Sequence, residues 1–212
     1  MKTNKELRLE AFSSLTGNWT NPVLATLIYF LIAGGANAFS IHSIKDPLAA
    51  ASNSSVSTLL SIFIVAPIAF GLQIALIKFF RGDKENTIQK MFDVFHYYGK
   101  VLGVVLLNLL YIFLWMLLLI IPGIIKAYSY AMSYYILNDN PEIGAEEAIC
   151  RSMEMMRGNK WKLFCLDLSF IGWFLLCILT LGIGFLWLEP YWLTARAAFY
   201  EEVKGTVMFV EE

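Results

Sequence analysis

Charged residues are scarce in this chain of 212 residues, at 16%, compared with ~25% in soluble domains. Hydrophobic residues make up 58%, and the mean hydropathy is +0.62. Such an apolar composition excludes an intrinsically disordered chain and a nucleic-acid-binding protein, because both classes depend on high charge. The net charge of −1 also provides no long-range field that would attract acidic or basic partners.

Residues with reactive or metal-binding side chains are also few. The two histidines, His42 and His96, lack the spacing of a zinc or haem site. Three cysteines do not make a disulfide-stapled secreted domain, so we expect Cys150, Cys165 and Cys177 to be reduced. The sequence also lacks the phosphate-binding loop, the Gly-x-Ser-x-Gly motif and the metalloprotease helix motif. We therefore expect no cofactor, no metal, no catalytic residue and no enzymatic activity.

Four long runs contain no Lys, Arg, Asp or Glu: residues 11–44, 47–77, 101–125 and 168–188. A helix that crosses the ~30 Å hydrocarbon core of a bilayer needs about 20 apolar residues. Each run is long enough to span a membrane. The chain is therefore predicted to be an all-α polytopic membrane protein that forms one domain over residues 1–212.

The positions of Lys and Arg distinguish four spans from six, because basic residues favour cytoplasmic loops. A topology with four spans and a cytoplasmic N-terminus places ten basic residues on the cytoplasmic side and six on the outer side. If the chain reverses at Pro122-Gly123 and at residues 182–184, six spans place thirteen inside and Lys45 alone outside. We therefore expect three helical hairpins with both termini in the cytoplasm. The expected hairpins cover residues 22–79, 101–138 and 162–203, and their spans are 22–41, 58–79, 101–121, 123–138, 162–181 and 185–203.

A cytoplasmic amphipathic helix at the membrane interface is expected before each hairpin, at about residues 4–16, 86–98 and 141–157. Thr3 and Glu6 form a capping box for the first helix, and Asn140 caps the third. The pattern indicates a threefold repeat, although any helix beside a membrane tends to be amphipathic. The apolar faces are Leu7, Ala11 and Leu15 in the first helix, Ile88, Met91, Phe92 and Phe95 in the second, and Ala145, Ala148, Ile149, Ser152, Met153 and Met156 in the third.

Four ionisable residues lie within the predicted spans: Lys126, Asp167, Glu189 and Arg196. Because an isolated charge is costly inside a bilayer, such residues usually pair with one another. Lys126 and Glu189 lie at a similar depth near the outer face. Asp167 and Arg196 lie further in. We therefore predict two ion pairs, Lys126 with Glu189 and Asp167 with Arg196.

The fourth span also has a polar stripe, in which Lys126, Tyr130 and Tyr134 share one helix face. With Asp167, Glu189 and Arg196, these residues form a candidate intramembrane polar cluster. Two interpretations are open: the stripe locks helices four and six together, or it lines a wet cavity for a substrate or ion. Elsewhere, Gly71-x-x-x-Ala75 is typical of close helix packing.

Much of the chain resembles a bacterial family of uncharacterised integral membrane proteins, known as domain of unknown function 975. The opening segment from Glu10-Ala11 to Trp19 and the stretch from Ile121 to Tyr200 are similar to this family. The resemblance implies a bacterial cytoplasmic membrane and supplies no catalytic residue. The chain is more distantly similar to the membrane domain of some glycerophosphodiester phosphodiesterases. The matching segments are 121–124, 141–145, 147–149, 152–160, 168–173, 190–191 and 199–201.

These observations favour a non-enzymatic protein of the cell membrane that binds or regulates a partner or acts as a scaffold. The expected partners are the lipid bilayer and a membrane protein or a second copy of the chain, with no nucleic acid. The methionines and basic residues of segment 139–160 support this interpretation, because methionine adapts to varied surfaces. The alternative is a small transporter or channel with a polar cavity between helices four, five and six.

Overall fold

The computed structural model describes residues 2–41 and 56–208, and the side chains of residues 2–35 and 56–206. Every regular element within these ranges is helical, which confirms the predicted all-helical class. A π-helical turn, Ser61–Val65, precedes α3, and a 3₁₀ turn, Asp93–Tyr97, joins α4 to α5. The helices are α1 (Asn4–Leu15), α2 (Thr20–Ile41), α3 (Ala66–Phe80), α4 (Thr87–Phe92), α5 (Tyr98–Leu118), α6 (Ile120–Tyr130), α7 (Ser133–Asp139), α8 (Ala145–Met155), α9 (Lys160–Leu168), α10 (Ile171–Leu179) and α11 (Phe185–Met208).

Three helical stretches among the described residues are long and apolar enough to cross a membrane: Val56–Phe80, Thr87–Leu118 and Lys160–Leu179. They include the predicted second, third and fifth spans almost completely. The predicted first span lies on α2, and the part of α2 whose side chains are described, Thr20–Gly35, is a shorter apolar helix. The structure therefore supports membrane association, and the arrangement with six spans stays a prediction.

The predicted fourth span is not one helix, because the chain turns at Ala131–Met132 between α6 and α7. Ser152 of α8 satisfies the backbone at this break: its hydroxyl donates to the Ser129 carbonyl at 2.8 Å and accepts from the Met132 amide at 3.2 Å. A break in a buried helix is tolerated where other groups re-form the lost hydrogen bonds. The prediction of a continuous helix over 123–138 is therefore wrong, since it took no account of this distant serine.

Helices α5 and α6 form an antiparallel hairpin. The chain reverses at Leu119, whose backbone is extended, three residues before the predicted Pro122-Gly123 turn. Pro122 instead lies in the first turn of α6. Gly123 packs so closely on α5 that a Cβ there would lie 2.5 Å from Cγ of Met116. The chain also turns between α10 and α11, within the segment 182–184 of the second predicted reversal, where Gly182 has a φ of 89°.

Two of the three predicted amphipathic helices differ from expectation. Segment 86–98 changes from α-helix to a 3₁₀ turn at Asp93, so its faces shift: Val94 is buried, whereas Phe92 and Phe95 are exposed. The third helix begins at Ala145, not near Pro141. On the first helix, the predicted apolar face is fully buried: Leu7, Ala11 and Leu15 of α1. On the third helix, four residues of the predicted face are buried: Ala148, Ile149, Ser152 and Met156. The Thr3–Glu6 capping box is also present.

Helix α4 packs directly against α3 at Gly71. A Cβ at this position would overlap the carbonyl oxygen of Met91 and lie 3.3 Å from a side-chain carbon of Val94. Ala75, one turn further along α3, is fully buried. The small residues Gly71 and Ala75 thus allow α3 and α4 to pack closely, as is typical of such a motif.

We expect Gly71→Ala to destabilise the protein by about 1–3 kcal/mol, because the added methyl group meets backbone atoms that have no room to move. The matched control is Gly172→Ala, since a Cβ at Gly172 of α10 meets nothing within 4 Å. That change should be neutral or slightly stabilising. Thermal unfolding of the purified protein in detergent measures both effects. Equal midpoints for the two variants would contradict the close packing at Met91.

Candidate functional site

The predicted ion pair between Asp167 of α9 and Arg196 of α11 is present. The Arg196 Nε donates to Oδ1 of Asp167 at 3.0 Å, and the Nη2 atom donates to Oδ2. The side chain of Asp167 is 15% exposed, and that of Arg196 is 21% exposed. This planar, two-point contact is the strongest geometry available to a carboxylate and a guanidinium.

Two aromatic side chains complete the surroundings of Asp167. The indole of Trp192 donates to Oδ1 at 2.8 Å, and the hydroxyl of Tyr128 donates to Oδ2 at 3.1 Å. The guanidinium of Arg196 also lies 4.3 Å from the ring centre of Trp192. Asp167 therefore accepts four hydrogen bonds, and these join α6, α9 and α11 at one point. We call Asp167, Arg196, Trp192 and Tyr128 the aspartate centre.

The second predicted pair, Lys126 with Glu189, is wrong. Within the described part of the chain these residues form no ion pair. The Lys126 ammonium instead lies 4.7 Å from the ring centre of Trp115 on α5. The physical reason is the α5–α6 hairpin, which packs the helix carrying Lys126 mainly against α5. Similar depth along the chain therefore does not identify the neighbour of Lys126.

The other two members of the predicted polar cluster also have separate neighbours. Tyr130 is buried with its ring 6.0 Å from that of Tyr111. Tyr134 packs edge-on against Phe70 with ring centres 5.1 Å apart. Of the six predicted residues, only Asp167 and Arg196 come together. The stripe on the fourth span thus contributes to helix packing at several places.

A second charged cluster, which sequence reasoning missed, joins the C-terminal parts of α3, α7 and α11. Asp139 accepts two hydrogen bonds from Arg81, both at 2.8 Å, and one from Tyr200 at 3.0 Å. Lys204 also donates to this carboxylate, and Arg81 reaches Glu201 at 2.6 Å. These residues lie just beyond or near the ends of the predicted spans, where charges are expected to be solvated.

Burial and the neighbouring cations act on the pKa of Asp139 in opposite directions. Burial acts to raise the pKa of this carboxyl, but the hydrogen bonds and charges of Arg81 and Lys204 outweigh burial and hold the pKa well below its usual range. The hydrogen bonds and charges of Asp139 and Glu201 in turn raise the pKa of Arg81. The cluster therefore stabilises the fold above the ordinary pKa of an aspartate, and this contribution is lost as the pH falls towards the lowered value.

The chemistry available at the aspartate centre is limited. All four donors are already directed at the carboxylate, so no side chain there is free to activate a nucleophile. Among the residues that the structure describes, no group of three or more His, Cys, Asp and Glu could hold a metal ion. The arrangement serves best as a polar clamp between helices.

We expect Asp167→Asn to lower the free energy of unfolding by about 3–5 kcal/mol, because it leaves the partly buried Arg196 without a counter-charge. Tyr128→Phe removes only one hydrogen bond from the same carboxylate and should cost about 1 kcal/mol. Chemical unfolding in detergent measures both variants. The double variant Asp167→Leu with Arg196→Met should recover much of the lost stability, since it removes both charges together. A double variant that is as unstable as the sum of its single variants would contradict the clamp.

Comparison with known proteins assigns the family. The family model described as "Protein of unknown function (DUF975)" matches residues 1–128 and 116–206. No curated protein and no solved structure matches the chain, so the similarity to a phosphodiesterase membrane domain stays an expectation. Because the family match covers nearly the whole sequence, the chain belongs to the DUF975 family.

Proposed function

We propose that this chain is a multi-pass protein of a bacterial cytoplasmic membrane, with three hairpins and both termini in the cytoplasm. Three apolar helices of sufficient length support the proposal. The antiparallel turns at Leu119 and at residues 180–184 supply two of the hairpins. The thirteen-to-one distribution of basic residues supports the orientation.

Within this topology, we propose a non-enzymatic role in which the protein binds a membrane-protein partner or a second copy of itself. The single observation that carries the proposal is the saturation of Asp167 by four donors, which makes the most polar intramembrane group a structural clamp. Because these polar groups bind one another, we assign partner binding to the surface of the protein.

The exposed face of α8 is the surface we assign to the partner. Its acidic side chains Glu146, Glu147 and Glu154 are exposed, whereas Ala148, Ile149 and Ser152 on the opposite face are buried. Arg151 pairs with Glu147 at 2.6 Å. The methionines of this segment do not form the surface, because Met156 is fully buried and the other two pack against the core. The surface is therefore acidic and polar.

A small transporter or channel is the second candidate. Glu189 lines an open cavity of about 690 Å³ together with Tyr29, and in the described ranges it makes no ion pair. An unpaired carboxylate beside a cavity is a feature of ion pathways. However, the cavity lining does not include Asp167 or Arg196.

The native cysteine on α8 tests the topology. Cys150 is exposed, so a membrane-impermeant maleimide should label it only after bacterial cells expressing the chain are permeabilised. A Cys150→Ser variant supplies the background. In that variant, Leu181→Cys at the α10–α11 turn, where Leu181 is 93% exposed, should be labelled in intact cells. Labelling of Cys150 in intact cells would refute the topology.

Purification from native membranes, followed by mass spectrometry of the intact assembly, tests the role. We expect a partner protein or a second copy at stoichiometric level. The charge reversal Glu146→Lys with Glu154→Lys should release it, whereas the exposed control Glu85→Lys should not. A monomer that carries a trapped small solute would contradict partner binding and favour transport.

A further inference from the structure

A groove with aromatic walls lies between α1, α10 and α11. Its volume is about 300 Å³, at the lower end of the ~300–1,000 Å³ of small-molecule sites. Three of the six tryptophans of the chain line it, namely Trp19, Trp173 and Trp187. Phe12, Leu176 and Tyr191 complete most of the wall. We call this feature the aromatic groove.

The polar atoms at the end of the groove are occupied within the protein. The hydroxyl of Thr180 donates to the carbonyl of Cys177 at 2.9 Å and accepts from the amide of Gly184 at 3.2 Å. The walls therefore present apolar and aromatic surface without free donors at this end. Such a surface favours a hydrocarbon chain over a polar solute.

The position of the groove indicates where its occupant comes from. Its α10 wall belongs to the candidate span Lys160–Leu179. Neighbouring side chains on α10, Leu175 and Leu179, are 64% and 79% exposed. Apolar residues exposed on a membrane helix face lipid tails, so the groove opens towards hydrocarbon.

A basic residue lies beside the aromatic groove. The guanidinium carbon of Arg8 lies 5.7 Å from the ring centre of Phe170, and that ring packs at 5.0 Å against Tyr191 in the groove wall. Arg8 donates from Nη1 to the carbonyl of Ser169 at 3.0 Å. Its buried Nε has no hydrogen-bond partner among the described residues, and Arg8 makes no ion pair there. A guanidinium without a counter-charge attracts the oxygens of a phosphate group.

We propose that the aromatic groove binds one acyl chain of a phospholipid taken from the surrounding bilayer, with the lipid phosphate next to Arg8. This inference rests on the proposed membrane location and is independent of the partner on α8. The combination of apolar walls and an adjacent guanidinium that has no counter-charge among the described residues matches both parts of such a lipid.

Native mass spectrometry of the full chain in detergent, titrated with phosphatidylglycerol, tests the proposal. We expect one saturable lipid per chain. Leu176→Trp, which fills the groove, should weaken binding by about tenfold. The matched control Leu175→Trp, on the adjacent exposed position outside the groove, should bind as the original chain does. Equal affinities for these two variants would overturn the proposal.

A second pair of variants tests the phosphate contact. It also keeps the proposal testable if Leu176→Trp does not fold. Arg8→Gln should weaken phosphatidylglycerol binding by about fivefold, whereas Lys5→Gln, exposed on the same helix, should leave it unchanged. Trp173→Leu should also lower affinity, because it removes one aromatic wall. Retention of detergent alone, or lipid binding that does not saturate, would reject the groove as a lipid site. A correct Cys150 topology with no saturable lipid would refute this inference alone.

Discussion

The carboxylate of Asp167 sets the main constraint on this fold, because a charge removed from water must find its compensation inside the protein. Arg196 supplies the counter-charge, and Trp192 and Tyr128 supply the remaining donors. These groups come from three helices, so the positions of α6, α9 and α11 are coupled at one point. The surrounding packing must keep them within hydrogen-bonding distance.

The same requirement for internal hydrogen bonds explains how broken helices are accommodated. At the α6–α7 break, Ser152 replaces lost backbone partners on both sides. At the α9–α10 break, Arg8 donates to the carbonyl of Ser169. In both cases the compensating side chain comes from a short helix outside the proposed hairpins, α8 or α1. These helices therefore belong to the structural core, beyond any role at the membrane surface.

Local and periodic features were predictable from the sequence, whereas features set by distant residues were not. The Thr3–Glu6 cap and the buried face of α1 follow from spacing alone. The Asp167–Arg196 pair was predictable because both residues lie within predicted spans at similar depth. Lys126 was misplaced, since similar depth along the chain does not show that α6 packs mainly against α5. The Asp139 cluster was missed, because only the folded chain brings Arg81 and Lys204 to one carboxylate.

The separation of these partners along the chain has a consequence for biogenesis. Asp167 leaves the ribosome 29 residues before Arg196, and Asp139 leaves 65 residues before Lys204. Both acidic residues are therefore synthesised before these cations, which lie on the last helix. A nascent protein that stops short of α11 therefore leaves Asp167 without its counter-charge, whereas Asp139 can already pair with Arg81, which precedes it in the chain.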